Sequence, residues 1–354
     1  MQNPARSSAR KVGSPAVSVI VPAYNCSGYI STALDSVLGQ TFREFEVIVV
    51  NDGSEDTEEL ERVLRFYQDR IVYFRQDNRG PSAARNLGIR HASGEYLAFL
   101  DSDDSWMPEY LARQIGFFEQ KPAPDLVYAD LLLVGDAPAA GRTFMQECPS
   151  SGPATFEDVL VGTCQIPTSG TVVRRHAVIE AGLFDEDLHR SEDYDLWLRI
   201  AYRGGRIAYH RTVLGRRRVR HNSLASQTEE LYAAGAQVLV KLSRELNLSE
   251  RLRSTLQKRL ARARADLALE RGKRFLLHGR FDEAHKSLQD AAAFHHGARL
   301  KVMLAGLRFT PRLTRAAFVA WRRLLALRSQ PAGATDAKKI RPPEDYDREA
   351  PSHS

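Results

Sequence analysis

The chain has 354 residues, 43% of them hydrophobic and 27% charged, which excludes a disordered or fibrous protein and leaves room for two domains. No run reaches the ~18 apolar residues of a membrane-spanning helix. The net charge of +6 is unevenly placed: residues 251–330 carry 19 Lys and Arg against 5 Asp and Glu, a net of +14 that leaves −8 for the rest. An acidic front and a basic back imply two tasks. Cys26, Cys148 and Cys164 are far apart and odd in number. They form neither a disulfide framework nor a thiolate metal site, which fits a reducing compartment. The first residues lack the apolar core of a signal peptide, and residues 1–15 are expected to be disordered.

The elements then follow in order. Val17 to Val21 (VSVIV) is a β-branched strand, broken by Pro22-Ala23-Tyr24-Asn25. Tyr29 to Leu38 has helical spacing. Phe45 to Val50 is a strand ending in Asn51-Asp52-Gly53-Ser54, and Glu58 to Phe66 is helical. Ile71 to Phe74 is a strand followed by Gln76-Asp77-Asn78-Arg79-Gly80. Ser82 to His91 is helical, and Tyr96 to Leu100 is the fourth strand. Strand and helix alternating at short intervals predict a mainly parallel sheet with both faces covered. Each strand ends in a polar cluster. Four such clusters on one sheet edge form a crevice where ligands bind in open α/β sheets.

The most informative cluster is Asp101-Ser102-Asp103-Asp104, which ends the apolar run Ala98-Phe99-Leu100. Carboxylates packed this closely repel unless a cation lies between them, and a hard divalent ion with a phosphate meets that need. A solvated turn with Asp104 or Ser105 as an N-cap is the other reading of the same residues. No GxGxxG follows the first strand and no GxxxxGK[ST] occurs, so dinucleotide and P-loop sites lack support. A nucleotide could still stack on Tyr24, present a base N–H to Asp52 and place a phosphate on the Arg85 fork. Taken singly, Tyr24 also reads as wall filler, Asp52 as a turn former and Arg85 as a surface charge.

Together, SVIVPAYN, VVNDGS, the run from Gln76 to Gly88 and FLDSDDSW resemble glycosyltransferase family 2 in both residues and spacing, over roughly Pro15 to Ser226. The resemblance implies an α/β fold of the GT-A nucleotide-diphospho-sugar transferase type over residues 16–227. It also implies inverting, metal-dependent transfer from a nucleotide diphosphate sugar. By that likeness, Pro22, Tyr24, Asn25, Asp52, Asn78, Arg85, Asp101, Glu192 and Trp197 are expected to contact substrate. Asp101 and Asp103 form the Asp-x-Asp pair for Mn²⁺ or Mg²⁺, with Asp103 the closer ligand and Asp104 in support.

Further along, Leu126 to Ala129 and Leu131 to Val134 read as strands, Asp136 to Pro153 as a loop and Ile166 to Val173 as a strand. Ser191-Glu192-Asp193-Tyr194-Asp195 opens a helix whose acidic first turn suits its dipole. Capping alone explains Glu192. The segment also resembles the family's Glu-Asp motif, which makes Asp193 the expected general base. Asp195, two residues on, lies on another helix face. VRHNSLAS resembles the family's Arg-x-His-x-x-Ser pattern with altered spacing, which makes His221 a candidate metal or diphosphate ligand.

Residues 228–329 form a C-terminal α-helical extension. Leu231 to Leu269 reads as helical throughout. Glu270 to Ala293 resembles one tetratricopeptide-type helical pair, too few for a solenoid. Thr314 to Arg328 is basic and amphipathic, equally a packed helix or one lying on an anionic membrane surface. Residues 330–354 are Pro-rich, charged and expected to be disordered. The basic tail comes with no nucleic-acid recognition motif, so nucleic acid is not an expected partner. Family habit and this tail place the protein in the cytoplasm, peripheral at the inner membrane face, with a glycan or lipid-linked acceptor in bacterial surface polysaccharide or glycolipid synthesis. Two alternatives compete: a phosphotransferase with Asp101 as nucleophile, and a non-catalytic nucleotide-sugar-binding scaffold whose tail recruits partners. The first leaves Tyr24 and Asp52 without a role. Intact Asp103 and Asp193 argue against the second.

Overall fold

In the computed structural model, which describes residues 14–120, 122–150, 152–220 and 228–328, the β-branched first strand is buried at every position except Pro22. It is β1 (Val17–Ala23). It is followed by α1 (Ile30–Leu38), β2 (Phe45–Asp52), α2 (Thr57–Leu64), β3 (Val72–Gln76), α3 (Pro81–His91) and β4 (Tyr96–Phe99). A second half adds β5 (Ser105–Trp106), α4 (Tyr110–Phe118), β6 (Leu126–Gly135), α5 (Phe144–Glu147), α6 (Phe156–Val161), β7 (Thr171–Arg174), α7 (Arg175–Glu180), α8 (Glu192–Tyr202) and β8 (Ile207–Val219). The extension is α9 (Thr228–Glu245), α10 (Glu250–Leu277), α11 (Phe281–Ala292), α12 (Ala298–Phe309) and α13 (Pro311–Arg328).

All eight strands join one sheet in the order β3-β2-β1-β4-β7-β6-β8-β5. β1 pairs in parallel with β2 on one side and β4 on the other, so the strand order reverses there. That reversal opens a crevice beyond the carboxyl ends of β1 and β4, where Tyr24 and Asp101 follow their strands. β7 runs antiparallel to both β4 and β6 and joins the two halves. Alternating side chains divide the core between the sheet faces. Ile20, Ile48 and Phe99 pack with Phe184 and Trp197 on one face. Val19, Val47 and Ala98 pack with Leu34 and Leu60 on the other.

Several elements differ from the sequence expectation. The two strands expected at Leu126–Ala129 and Leu131–Val134 are a single strand, β6, with register shifts on either side of Asp130. The Asp130 carboxylate accepts from the backbone N–H groups of Leu131 and Met145, so this polar residue forms a bulge instead of a break. The loop expected at Asp136–Pro153 contains α5, started by a capping box between Thr143 and Gln146. The strand expected from Ile166 begins only at Thr171. Thr168–Gly170 is a 3-10 turn, and a side chain at Gly170 would collide with the Ala129 carbonyl. The continuous helix expected from Leu231 to Leu269 is interrupted. Ser249 N-caps α10 by accepting from Leu252 N.

The helical pair expected at Glu270–Ala293 is present, as the end of α10 and α11 turning at Gly279 with φ +73. The apolar core also crosses the 227/228 boundary. Val238, Leu239, Leu242, Leu248 and Leu256 are buried in the same cluster as Leu196 and Trp197. Only the far end of the extension has its own cluster, formed by Leu276, Ala284, Leu288, Leu300, Leu307 and Phe318.

Candidate active site

The crevice floor is set by the loops after β2 and β3. Gly53 turns with φ +66, and a Cβ there would lie 2.5 Å from the Asn78 backbone nitrogen. This contact brings the two loops together. Asp52 is buried and accepts from Gln76 Nε2 at 2.7 Å, Arg79 N at 2.9 Å and Gly80 N at 2.8 Å. It therefore fastens the loop that carries the exposed Asn78. Asn25, at φ 49, accepts from Glu55 N and donates its own N–H to Ser54 Oγ. These bonds hold the segment after Pro22 open and leave the Tyr24 ring 45% exposed, a free stacking face at the mouth.

Arg85 joins two motifs that lie far apart in the chain. Its Nη2 is 2.7 Å from Asp101 Oδ1 and its Nη1 is 2.6 Å from Glu192 Oε1. The guanidinium is buried and lies over the Phe184 ring at 5.4 Å. Burial works against its charge, and the two carboxylates more than restore it, so its pKa is raised and it remains cationic. Arg85 was expected as an open phosphate fork. It is instead a clamp between β4 and α8, because two carboxylates already fill its planar donors. Burial pushes the Glu192 carboxyl up, Arg85 pulls it back and Asp193 adds to the rise.

Asp193 is half-buried in the first turn of α8. Its Oδ2 accepts from Thr168 Oγ1 at 2.7 Å and its Oδ1 from its neighbour's N–H, Tyr194 N, at 2.7 Å. The Thr168–Gly170 turn also reaches the acidic cluster, where Ser169 Oγ accepts from Asp101 N at 3.1 Å. One turn thus touches both the Asp-x-Asp segment and the candidate base. Asp195 is fully buried and bonded to Arg199 and Lys241, so it has no free face. Trp197, expected against substrate, is 1% exposed and packs 6.2 Å from both Phe99 and Phe184. It is a core residue, packed with these two rings against the face of the sheet that carries Phe99.

The acidic cluster is held by arginines from β8 and the residue after it. Asp103 is ion-paired with Arg220. Asp104 is no helix cap, because α4 starts only at Tyr110. It is buried, accepts from Arg218 N at 2.7 Å and has its pKa pushed up to about 8 by burial and then by Asp101 and Asp103. The Tyr29 ring faces both Arg218, at 4.8 Å, and Arg220, at 4.7 Å. His221 lies outside the described residues.

Among the described residues no three His, Cys, Asp or Glu side chains form a ready metal cage. Asp101 and Asp103 nevertheless suit a hard cation. They are two partly exposed carboxylates beside a third acid that the crowding helps keep protonated. Mg²⁺ typically takes one or two carboxylates and completes its shell with water and phosphate oxygens. Sequence reasoning missed Thr168, Ser169, Tyr29 and Arg220. PTSG read as part of a strand, and Arg220 drew notice only as part of the VRHNSLAS stretch that singled out His221.

Comparison with known proteins adds to this geometry. The profile described as Glycosyl transferase family 2 matches residues 18–138. An uncharacterized glycosyltransferase of Rickettsia typhi is 32% identical over 239 residues, covering 66% of this chain and 74% of that protein. One from Rickettsia bellii is 31% identical over 243 residues, 65% of this chain, of which this chain spans 34%. An Escherichia coli protein, the UDP-Glc:alpha-D-GlcNAc-diphosphoundecaprenol beta-1,3-glucosyltransferase WfaP, is 31% identical over 189 residues, 53% of this chain and 71% of that one. Among solved structures, residues 1-349 of Staphylococcus aureus TarS in complex with UDP match with a TM-score of 0.58 at 21% identity, covering 87% of this chain and 91% of that one. The mannosyltransferase PcManGT of Pyrobaculum calidifontis, in complex with GDP-Man and Mn²⁺, matches with a TM-score of 0.57 at 20% identity, covering 90% and 88%. At such identities the structural likeness establishes the fold, the expected GT-A arrangement with a helical C-terminal region.

Proposed function

The chain belongs to glycosyltransferase family 2, and from that membership we propose that it transfers a sugar, with inversion, from a nucleotide diphosphate sugar to an acceptor hydroxyl. The observation that carries this reading is the chain of contacts Asp101–Arg85–Glu192, with Asp193 next in sequence. It sets the leaving-group side of the crevice and a proton acceptor at a fixed separation.

The nucleotide base stacks on Tyr24 and meets the loop held by Asp52, while the diphosphate lies toward Asp101 and Asp103. A divalent ion held by Asp101 and Asp103 would supply Lewis-acid neutralisation of the departing diphosphate. The acceptor oxygen attacks the anomeric carbon from the opposite face, and the bond to the diphosphate breaks with its electron pair. Asp193, oriented by Thr168, removes the hydroxyl proton. A single carboxylate acting as base, with no covalent sugar intermediate, gives inversion. The activity named for WfaP supports a lipid-linked diphosphate acceptor and a place in surface glycan or glycolipid synthesis. Such an acceptor supports a working position at the cytoplasmic membrane face. No described helix is long and apolar enough to cross a membrane.

The test is a panel of nucleotide sugars with Mn²⁺ or Mg²⁺, comparing the native chain with Asp193→Asn. Transfer should fall by ~10²–10⁴ with donor affinity, measured by calorimetry, nearly unchanged. Donor binding without turnover in the native chain would favour the non-catalytic scaffold. Near-normal turnover in Asp193→Asn would move the base to another carboxylate.

A further inference from the structure

The last two helices carry a surface that the transfer chemistry does not use. α12 and α13 pack as an antiparallel hairpin, with Gly306 close against Thr314 and Arg299 over the Trp321 ring at 5.7 Å. Their inner sides bury Leu300, Leu307 and Phe318 in one cluster with Leu276 and Leu288 of the α10–α11 pair. Arg315 Nε also donates to Leu277 O at 3.0 Å. Because both inner sides meet the same layer, both outer sides face away from it together.

That outer side is apolar and open. Val302 is 71% exposed and Phe309 76%, two turns apart on α12. Leu313 is 69% exposed and Leu324 60%, three turns apart on α13. Isolated exposed apolar residues need no explanation, but four large ones aligned along two adjoining helices form a patch. Basic side chains run along its margins: Lys301 and Arg308 beside the first stripe, Arg312 and Arg323 beside the second. Residues 298–328 hold eight Lys and Arg and no Asp or Glu, so no cation here is neutralised within the hairpin. The neighbouring α11 carries Asp282, Glu283 and Asp290, so the single-sign composition does not extend to it.

We propose that the outer face of the α12–α13 hairpin docks on an anionic lipid bilayer. Exposed apolar side chains between rows of long cationic ones match an interface with acyl chains below and anionic headgroups beside them. A protein partner would supply carboxylates in fixed positions, but this face carries charge of a single sign and requires no register. A nucleic-acid backbone would satisfy the cations and leave the apolar stripes in water. The inference stands apart from the transfer reaction, and either can fail without the other.

The experiment is sedimentation of the full-length protein with vesicles of phosphatidylcholine alone and of phosphatidylcholine with phosphatidylglycerol in equal parts. The protein should pellet with the anionic vesicles only. Phe309→Ser with Leu313→Ser should lower binding by ~10-fold or more, and Arg308→Gln with Arg312→Gln by a similar factor. All four positions are exposed, so thermal unfolding should be unchanged. High salt should reverse most of the binding, since the Debye length falls to ~3 Å at 1 M. Equal binding to both vesicle types, or binding indifferent to these substitutions, would overturn the proposal. So would a dimer in analytical ultracentrifugation that disappears in Phe309→Ser, because a second copy would then be what covers the face.

Discussion

Arg85 is the side chain on which the site's geometry depends. A planar fork can satisfy Asp101 and Glu192 at once, and a lysine ammonium cannot span the same two carboxylates with equal geometry. Arg85→Met should cost about 3–5 kcal/mol in urea unfolding, because Glu192 is left buried without a counter-charge. Arg85→Lys should recover part of that loss and little of the turnover. A similar argument applies to Asp103. Its bond to Arg220 leaves it able to exchange that partner for a cation once a diphosphate arrives to occupy the arginine. Nucleotide diphosphate should bind more tightly with Mn²⁺ than with chelator present, and Asp103→Ala should abolish the difference. Equal calorimetric affinities with and without metal in the native chain would remove the metal role from this pair.

At the scale of elements, the extension is fastened to the catalytic half by a partly buried ionic knot centred on the buried Asp195. Lys241 of α9 bonds Asp185 at 2.6 Å and Asp195 of α8 at 3.0 Å, and Arg199 bonds Asp195 again at 2.6 Å. Lys241→Met should destabilise the fold by about 1.5–3 kcal/mol. The knot also fixes a pH dependence. Burial alone would raise the Asp185 carboxyl, but the bonds from Lys241 and the Asp187 N–H and the nearby positive charge hold it below its usual value. A depressed carboxylate stabilises the fold above its unfolded pKa, and that contribution is lost as the pH falls through the folded value. Thermal stability should therefore drop below about pH 4, and Lys241→Met should be less stable at neutral pH with a shallower acid loss. An identical acid profile in the variant would show that other carboxylates govern it.

The parallel half of the sheet was legible in the sequence because each strand is a short β-branched run closed by a polar cluster. The Asp101 segment stood out because carboxylates crowded at a strand end need a counter-charge, and the Asp193 segment stood out by its likeness to the family's Glu-Asp motif. The site contacts that escaped the sequence reading share one cause, since each depends on a partner at least 25 residues distant. Thr168 has meaning only against Asp193, and Arg220 only against Asp103. Trp197 has the residue type of a ligand contact but the periodicity of a core position, and burial decided for the core. The break between α9 and α10 was written locally in Asn247-Leu248-Ser249, but the surrounding Ala, Leu and Arg masked it.

For the molecule as a whole, the extension is part of the catalytic half's core. Burying Val238, Leu239, Leu242, Leu248 and Leu256 stabilises the fold by about 10 kcal/mol together, comparable with the entire net stability of a domain. A chain ending at residue 227 should therefore fail to give a cooperative thermal transition, whereas Phe309→Ser in the full chain should leave it intact. A sharp unfolding transition in the 1–227 chain would show that the sheet stands without α9 and α10. The shared core also imposes an order in time. Ile20, Ile48 and Phe99 leave the ribosome long before Trp197, and α9 emerges later still. At ~5–20 residues per second, the nascent sheet waits for its second cover for several seconds or more. Through that interval the part of this apolar face not covered by α3 stays open to water until Trp197 and α9 arrive.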